Sequence, residues 1–207
     1  MTTFSRTFLT DTVELLEQLA DASIETMVSV IRDTRERGGR LFFCGSGGGA
    51  GHASHAACDF RKLARVESYA VTDNVSELTA RINDDGWETT FARWLQISHL
   101  CAQDAIMVFS VGGGSRSRGV SMSLVMAIEL AHETGASIYG IVGSRDGSLA
   151  QFADAAVIVE PPADLKTPLV ESFQAVVWHA LVSHPALAAQ QAHWESITST
   201  DGAMTSI

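Results

Sequence analysis

Apolar residues in the first part of the chain recur at the three- and four-residue spacing of an amphipathic helix. The pattern covers residues 10–37, with acidic side chains early and arginines late, as the helix dipole favours. Two glycines, Gly38 and Gly39, mark its end. The pattern therefore predicts one long N-terminal helix, with apolar positions at Val13, Leu15, Leu16, Leu19, Ile24, Met27, Val30 and Ile31.

Short apolar runs alternate with helical segments through the rest of the chain. The runs predict strands over residues 40–44, 69–72, 105–110, 137–142 and 155–159. Further helices are predicted over residues 50–63, 120–134, 149–153 and 167–183, the last with Thr167 as its cap and Pro168 in its first turn. This alternation indicates an α/β fold, in which a parallel five-stranded sheet lies between two layers of helices.

No Gly-, Pro- or Ser-rich linker divides the chain into two modules, so we expect a single domain over residues 1–207. Residues 1–37 are interpreted as a helical extension and residues 38–207 as the α/β core. Ligands of an open parallel sheet bind at the carboxyl ends of its strands. Two glycine-rich loops are predicted at those ends.

The chain is acidic, with 14 basic and 24 acidic residues and a formal net charge of −10. Such a chain repels nucleic acid and anionic membranes, and we expect neither as a partner. No apolar run reaches the roughly 18 residues that a membrane span needs, and the first residues lack the apolar core of a secretion signal. Three cysteines, Cys44, Cys58 and Cys101, are expected to be buried and reduced, so a cytoplasmic location is predicted.

Both glycine-rich loops have features of an anion site. The first, residues 44–51, contains five glycines and leads into a predicted helix, whose first N–H groups can hold an anion. It lacks the acidic partner of a dinucleotide-binding motif and the lysine of a Walker motif. The second, residues 110–118, adds serines and two arginines, Arg116 and Arg118, which suit a phosphate monoester. A tight turn and a solvent-exposed loop are the purely structural alternatives.

Histidine and carboxylate side chains are grouped on two predicted helices. His55 and Asp59 are four residues apart after the first loop, with His52 nearby, and so share a helical face. Glu171 and His179 lie on one broad side of the last helix. A packed histidine and a solvated carboxylate are the common alternatives for each residue alone. The four residues gain significance only if the two helices meet.

Taken in order along the chain, these motifs resemble those of the sugar isomerase (SIS) domain family, and within it the phosphoheptose isomerases. The resemblance rests on the first glycine loop with its histidine and aspartate, on residues 83–86, 109–115 and 140–147, and on the Glu171 and His179 pair. It implies a Rossmann-like three-layer fold and the interconversion of sedoheptulose 7-phosphate with heptose 7-phosphate aldoses through an enediol. It also implies a homotetramer with active sites shared between subunits.

The resemblance further implies a role for each matching residue. Asp59 and His179 fall on the acid–base positions of the family. In some members a zinc ion is held at the positions of His55, Asp59, Glu171 and His179. The sugar phosphate is held at positions that here are Ser46, Gly47, Gly48, Asn83, Asp84, Ser110, Val111, Gly112, Ser115 and Glu171.

Three departures from the family pattern affect the expected chemistry. Asp59 replaces a glutamate and is one methylene shorter. Glu171 replaces a neutral amide, and two imidazoles with two carboxylates form a good ligand set for one zinc ion per site. The phosphate loop has lost hydroxyl groups at positions 111 and 112, and we expect Arg116 and Arg118 to supply the lost contacts.

The sequence therefore predicts an enzyme, an aldose–ketose isomerase that acts on a sugar phosphate. One alternative is a non-catalytic SIS protein that binds a sugar phosphate or a protein partner as a regulator. Another is a SIS lyase or etherase that acts on an amino-sugar phosphate. Because the acid–base positions are filled, the enzyme is favoured over the regulator.

Overall fold

The computed structural model describes residues 2–189 and contains the predicted parallel sheet. Its five strands are β1 (Leu41–Gly45), β2 (Ser68–Ala70), β3 (Ala105–Ser110), β4 (Ser137–Val142) and β5 (Ala155–Ile158). They lie side by side in the order β2-β1-β3-β4-β5. All neighbouring strands pair in parallel, so the prediction of a parallel five-stranded sheet is confirmed.

Helices cover both faces of the sheet. They are α1 (Phe4–Gln18), α2 (Asp21–Glu36), α3 (Gly48–Lys62), α4 (Val75–Asp85), α5 (Thr90–Ile97), α6 (Met122–Thr134), α7 (Ser148–Phe152) and α8 (Lys166–Ser183). Successive side chains of a strand point to opposite faces, so Phe43 packs with α2, α3 and α8, while Phe42 packs with α5 and α6. Both faces of β1 and β3 are buried, which explains their continuous apolar runs.

The prediction of a single long N-terminal helix is wrong, because the structure has two helices in this region. Helix α1 ends at Gln18 and α2 begins at Asp21, with extended backbone at Leu19 and Ala20. The two helices bury their apolar sides against different parts of the core. Helix α2 packs in the core on the face of the sheet that carries Phe43, whereas Leu15 of α1 packs against the first part of α8. Leu19 contacts both groups, and the chain turns there.

Two other boundaries differ from those expected. Residues 73–104, for which no element was predicted, form α4, α5 and a short 3₁₀-helix at Trp87–Thr89. Helix α8 begins at Lys166 after a second 3₁₀-helix, so Thr167 lies inside its first turn and does not cap it. Pro168 also falls in the first turn, where its missing N–H removes no intrahelical hydrogen bond.

The three cysteines are not all buried, contrary to expectation. Cys44 is enclosed in β1, and burial raises the pKa of its thiol to about 12. Cys58 and Cys101 are exposed, because the first lies on the solvent side of α3 and the second in the loop before β3. Among residues 2–189, no helix is both long and apolar enough to cross a membrane.

Candidate active site

The two glycine-rich loops lie side by side because they follow adjacent strands. Gly45 at the end of β1 is paired in register with Phe109 near the end of β3. β2 lies on one side of β1 and β3 lies on the other, so the strand order reverses direction at β1. In an open parallel sheet, such a reversal leaves a crevice at the carboxyl ends of the strands. A cavity of about 320 Å³ lies there, lined by Ser46, Gly49, Phe109, Ser110, Val111, Gly112, Val120, Ser121, Glu171 and Gln174.

The first glycine loop is glycine-rich because backbone and side chains approach it closely. Gly47 caps α3 with a φ of +58°, in the left-handed region that favours glycine. A Cβ on Gly49 would lie 2.7 Å from the carbonyl oxygen of Phe109. This close contact brings the start of α3 against β3 and forms one wall of the cavity.

The carboxylate of Glu171 lies against the backbone of Gly48, at the N-terminus of α3. A Cβ on Gly48 would lie 2.5 Å from Oε2 and 2.8 Å from Oε1 of Glu171. Gly48 leaves room for the carboxylate in this position, and the N-terminal end of the helix dipole favours its negative charge. The place that the sequence suggested for an external anion is therefore next to an internal carboxylate.

Helices α3 and α8 meet, and they bring three of the four predicted metal ligands together. Possible ligand atoms of His55, Asp59 and His179 lie within 4.8 Å of one another. His55 Nε2 is 3.8 Å from Asp59 Oδ2, and the two imidazole rings are perpendicular, with centroids 5.6 Å apart. The condition that the sequence left open, contact between the two helices, is met.

The details of this cluster fit a divalent cation. Asp59 is only 4% exposed, and its Oδ2 has no hydrogen-bond partner among the described residues. His179 Nδ1 lies 2.8 Å from the carbonyl oxygen of Ala175, which can only accept a hydrogen bond. Nδ1 therefore carries the proton, and Nε2 is the free nitrogen. Two imidazoles and one carboxylate, with an open side at the exposed His55, are a donor set that suits zinc.

The predicted fourth ligand, Glu171, is not part of this cluster. It precedes His179 by eight residues on α8, which separates the two backbones by about 12 Å along the helix axis. Glu171 therefore lies beside the start of α3, while His179 lies beside Asp59 more than two turns further along. The structure thus brings three of the four predicted ligands together and places Glu171 in the wall of the cavity, so metal ligation by Glu171 stays a prediction.

His52 lies between the cavity wall and the metal-ligand cluster. Its pKa is lowered, chiefly by burial, and the positive charges that His55 and His179 can carry act in the same direction. The charge of Glu171 and a hydrogen bond to the Glu171 backbone oppose this shift. The sequence grouped His52 with His55 but gave it no role.

The second glycine loop forms the opposite wall of the cavity. Ser110 Oγ accepts a hydrogen bond of 3.0 Å from the N–H of Gly113, so this hydroxyl shapes the loop itself. Ser110, Val111 and Gly112 line the cavity, and their predicted contact with substrate stays a prediction. Ser115 is buried and pairs with Val120 through two backbone hydrogen bonds of 2.9 and 3.0 Å.

The two arginines of this loop have different surroundings. They lie in the hairpin tip, residues 116–119, between Ser115 and Val120. Arg116 forms a two-pronged ion pair with Glu129 of α6, and this pair raises the pKa of its guanidinium. Arg118 donates from Nε to Ser115 Oγ at 3.2 Å. Neither arginine lines the cavity in this structure, so their contact with phosphate stays a prediction.

The predicted Asn-Asp pair lies away from the cavity. Asn83 and Asp84 are exposed near the end of α4, where the Asn83 amide donates to the Asp84 carboxylate at 2.7 Å. Their place in a substrate site, which the resemblance implies for an assembled protein, stays a prediction. Gly47 and Gly48 lie in the first loop, next to the cavity-lining Ser46.

Sequence reasoning missed several residues of the cavity wall. Gln174 is fully buried on α8, donates from Nε2 to the Ile141 carbonyl at 3.2 Å, and has no partner for Oε1 among the described residues. Gln174 follows Glu171 by three residues and so lies on the same side of the helix. This spacing is visible in the sequence and could have identified Gln174 as a residue near Glu171. Val120 and Ser121 gave no such signal, because only the hairpin brings them to the cavity.

Several known proteins are similar to this chain in sequence or in fold. Residues 7–143 match the model of the SIS domain. The chain is 33% identical over 191 residues to the lincomycin biosynthesis protein LmbN of Streptomyces lincolnensis, covering 86% of this chain and 68% of that protein. It is 29% identical over 183 residues to the phosphoheptose isomerase of Rhodospirillum rubrum, covering 85% and 92%. The structure of phosphoheptose isomerase GmhA from Neisseria gonorrhoeae superposes with a TM-score of 0.74 at 20% identity, covering 85% and 93%.

Proposed function

The chain belongs to the SIS domain family, and from this premise we propose that it is an aldose–ketose isomerase acting on a sugar phosphate. The pair we propose is sedoheptulose 7-phosphate and its heptose 7-phosphate aldoses, because relatives of about 30% identity are named phosphoheptose isomerases. The observation that carries the proposal is the cavity between the two glycine loops. It combines serine hydroxyls, backbone N–H groups and one carboxylate, which together suit a polyhydroxylated phosphate ester.

The phosphate end is assigned to the second loop. The first loop already faces the Glu171 carboxylate, which would repel a phosphate placed beside it. The second loop carries Ser110, Ser115 and the guanidinium of Arg118, which are hydrogen-bond donors for phosphate oxygens. The sugar chain then extends across the cavity toward the start of α3.

The fit of His55, Asp59 and His179 to a divalent ion supports zinc as the cofactor, one ion per active site. A zinc ion at this cluster would act as a Lewis acid toward a sugar oxygen. His179 would present Nε2, because its Nδ1 is bonded to Ala175. Acid–base catalysis by Asp59 and His179, which the resemblance implies, stays a prediction, because metal binding would occupy the same side chains.

Helix α1 supports assembly into a homotetramer with shared active sites. Leu9, Val13 and Leu16 are 55%, 54% and 46% exposed, and they form an apolar stripe on a helix whose other side already packs on the core. A second chain covering the stripe would remove this apolar surface from water. A cytoplasmic location, predicted from the sequence, stays a prediction.

The experiment that tests the function is proton exchange during turnover. Purified protein is incubated with sedoheptulose 7-phosphate in D₂O, and the aldose products and the deuterium at C1 and C2 are followed by NMR. An isomerase forms aldose and introduces deuterium. Binding without aldose formation or exchange would instead indicate the regulator, and loss of a substituent from an amino-sugar phosphate would indicate the lyase or etherase.

A further inference from the structure

We propose that Glu171 determines which sugar phosphates the cavity accepts, because its carboxylate admits an uncharged polyhydroxylated chain and excludes a second anionic group. This inference rests on the proposed function and names its substrate class, a phosphate monoester that carries hydroxyl groups and no other negative charge. It assigns Glu171 a role in specificity and no part in proton transfer.

The first argument is that Glu171 is the charged group of the cavity wall. Among the described residues that line the cavity, it alone has a side chain that is charged at neutral pH. None of the ion pairs within residues 2–189 involves its carboxylate. His52 forms its hydrogen bond with the backbone of Glu171. The negative charge therefore lies at the cavity without a paired cation.

The second argument is that donors and acceptors of hydrogen bonds lie on different walls of the cavity. We call Glu171 and Gln174 the acceptor wall, because an ionised carboxylate only accepts hydrogen bonds. Gln174 adds no donor there, since its Nε2 already donates to the Ile141 carbonyl at 3.2 Å. Ser110 and Ser121 form the donor wall, with hydroxyl groups that can donate to a ligand. A ligand must therefore accept at one end and donate at the other.

A sugar phosphate monoester meets this requirement in one orientation. Its phosphate oxygens accept hydrogen bonds, so they bind at the donor wall. Its sugar hydroxyls can donate to the carboxylate at the acceptor wall. A second phosphate or a carboxylate at that end has no proton to donate at neutral pH, and it adds repulsion between like charges. The cavity therefore discriminates by the charge at the end of the ligand remote from the first phosphate.

The third argument is the fixed placement of the carboxylate. A Cβ on Gly48 would lie 2.5 Å from Oε2 and 2.8 Å from Oε1 of Glu171, so the carboxylate is packed against this backbone. A charge held in this way excludes an anion more strongly than one on a mobile side chain, which can turn away. Two unit charges 4 Å apart lower affinity by about fivefold in bulk water and about 10³-fold near a protein surface. Because Glu171 is half-buried, we expect an effect of about 10- to 100-fold.

The test measures by calorimetry, at neutral pH, how the parent, Glu171→Gln and Glu171→Asp bind three ligands. These are sedoheptulose 7-phosphate, sedoheptulose 1,7-bisphosphate and inorganic phosphate. We expect the parent to bind the monophosphate about 10- to 100-fold more tightly than the bisphosphate. Glu171→Gln keeps the shape and removes the charge, so this preference should fall below about threefold, whereas Glu171→Asp should keep it. Inorganic phosphate, which needs only the donor wall, should bind equally well to all three proteins.

Glu133→Gln is the matched control, because Glu133 is exposed on α6 outside the cavity and its substitution changes the net charge by the same amount. It should keep the parent's preference. A preference that persists in Glu171→Gln would mean that shape excludes the bisphosphate, and an equal loss in Glu133→Gln would mean that the overall charge does. Either result overturns the inference. Loss of zinc from Glu171→Gln, measured by elemental analysis, would make Glu171 a metal ligand and would also overturn it.

Measuring both binding and turnover distinguishes this inference from the proposed function. A parent that prefers the monophosphate through Glu171 but forms no aldose would support the inference and contradict the isomerase function. A parent that forms aldose but binds both sugar phosphates equally well would support the isomerase function and overturn the role of Glu171. A parent that binds neither sugar phosphate would overturn both.

Discussion

At the residue scale, Asp59 Oδ2 is a buried polar atom without a hydrogen-bond partner among the described residues, and such an atom costs free energy. A cation held with His55 and His179 would satisfy it. Even an outer-shell change typically costs about 10- to 100-fold in metal affinity, so we expect His179→Ala to lose at least this much. Elemental analysis of protein purified without a metal-affinity tag measures the remaining zinc.

His132→Ala is the control for this substitution. Like His179, which stacks on Trp178, His132 packs on an aromatic ring, that of Phe152, but it lies on α6 outside the ligand cluster. The control should keep its zinc, and thermal unfolding should show that both variants fold. Zinc that persists at full occupancy in both His179→Ala and Asp59→Asn would place the metal elsewhere.

Some residues of the site could be grouped from the sequence, namely those that share a face of one helix. Contacts between different helices could not be predicted in this way. His55 and Asp59 are four residues apart, so their shared face follows from the sequence. Whether His179 joins them depends on how α8 packs on α3, which spacing does not specify. Glu171 was grouped with His179 for the same reason, yet two turns of helix separate them. The pairing of Arg116 with Glu129 also depends on tertiary packing.

At the scale of elements, the start of α3 and the first part of α8 meet through Gly48 and Glu171. We expect Gly48→Ala to displace the Glu171 carboxylate, because the new Cβ would lie 2.5 Å from its Oε2. Gly48 has no positive φ, so the backbone tolerates alanine. With this cavity-lining carboxylate displaced, substrate binding should weaken and isomerase activity should fall by about tenfold, while the circular dichroism spectrum stays that of the parent.

Gly51→Ala is a closely matched control on the same helix. A Cβ on Gly51 meets nothing within 4 Å, and Gly51 is exposed. Alanine in a helix is favoured over glycine by about 0.5–1 kcal/mol, so this variant should be as stable as the parent or more stable, and equally active. If Gly48→Ala and Gly51→Ala were equally active, the position of the Glu171 carboxylate against Gly48 would be unimportant for turnover.

The hairpin tip between β3 and α6 holds two arginines with different expected effects. Arg118 contacts Ser115, while Arg116 is already paired with Glu129. A charge-assisted hydrogen bond contributes about 1.5–3 kcal/mol, so Arg118→Ala should raise KM for the sugar phosphate by about 10- to 100-fold with little change in kcat. Arg116→Ala should have the smaller effect on KM. Steady-state kinetics of the two variants decide this, and an unchanged KM in Arg118→Ala would mean that its guanidinium stays in solvent.

At the scale of the whole molecule, the sheet was predictable because its strands are buried on both faces and read as apolar runs. Strands β3 and β4 were predicted with the bounds they have. The missed region is equally instructive, because Val75, Leu78 and Ile82 of α4 recur at helical spacing and this signal was available in the sequence. The break between α1 and α2 carries no Pro or Gly. It follows from the two helices packing on different parts of the core, which the local pattern does not encode.

The exposed side of helix α1 bears on how copies of the chain assemble. The stripe formed by Leu9, Val13 and Leu16 points away from Leu15, which packs on α8. In a monomer this stripe would stay in water, whereas a partner chain would bury it at a gain of about 25 cal/mol per Å². We therefore expect light scattering at micromolar concentration to give four times the chain mass of 22.1 kDa.

Leu9→Asp tests whether this stripe is the contact. Leu9 is exposed in the single chain, so a charge there should leave the fold intact but should weaken association when it is buried against a second copy. Thr7→Asp introduces the same charge about 160° around the helix and should keep the parent's mass. If the parent forms tetramers and Leu9→Asp forms them equally well, the chains associate through another surface. A monodisperse monomer of the parent would mean that the active site is complete in one chain and that Asn83 and Asp84, exposed on α4, have no substrate to contact.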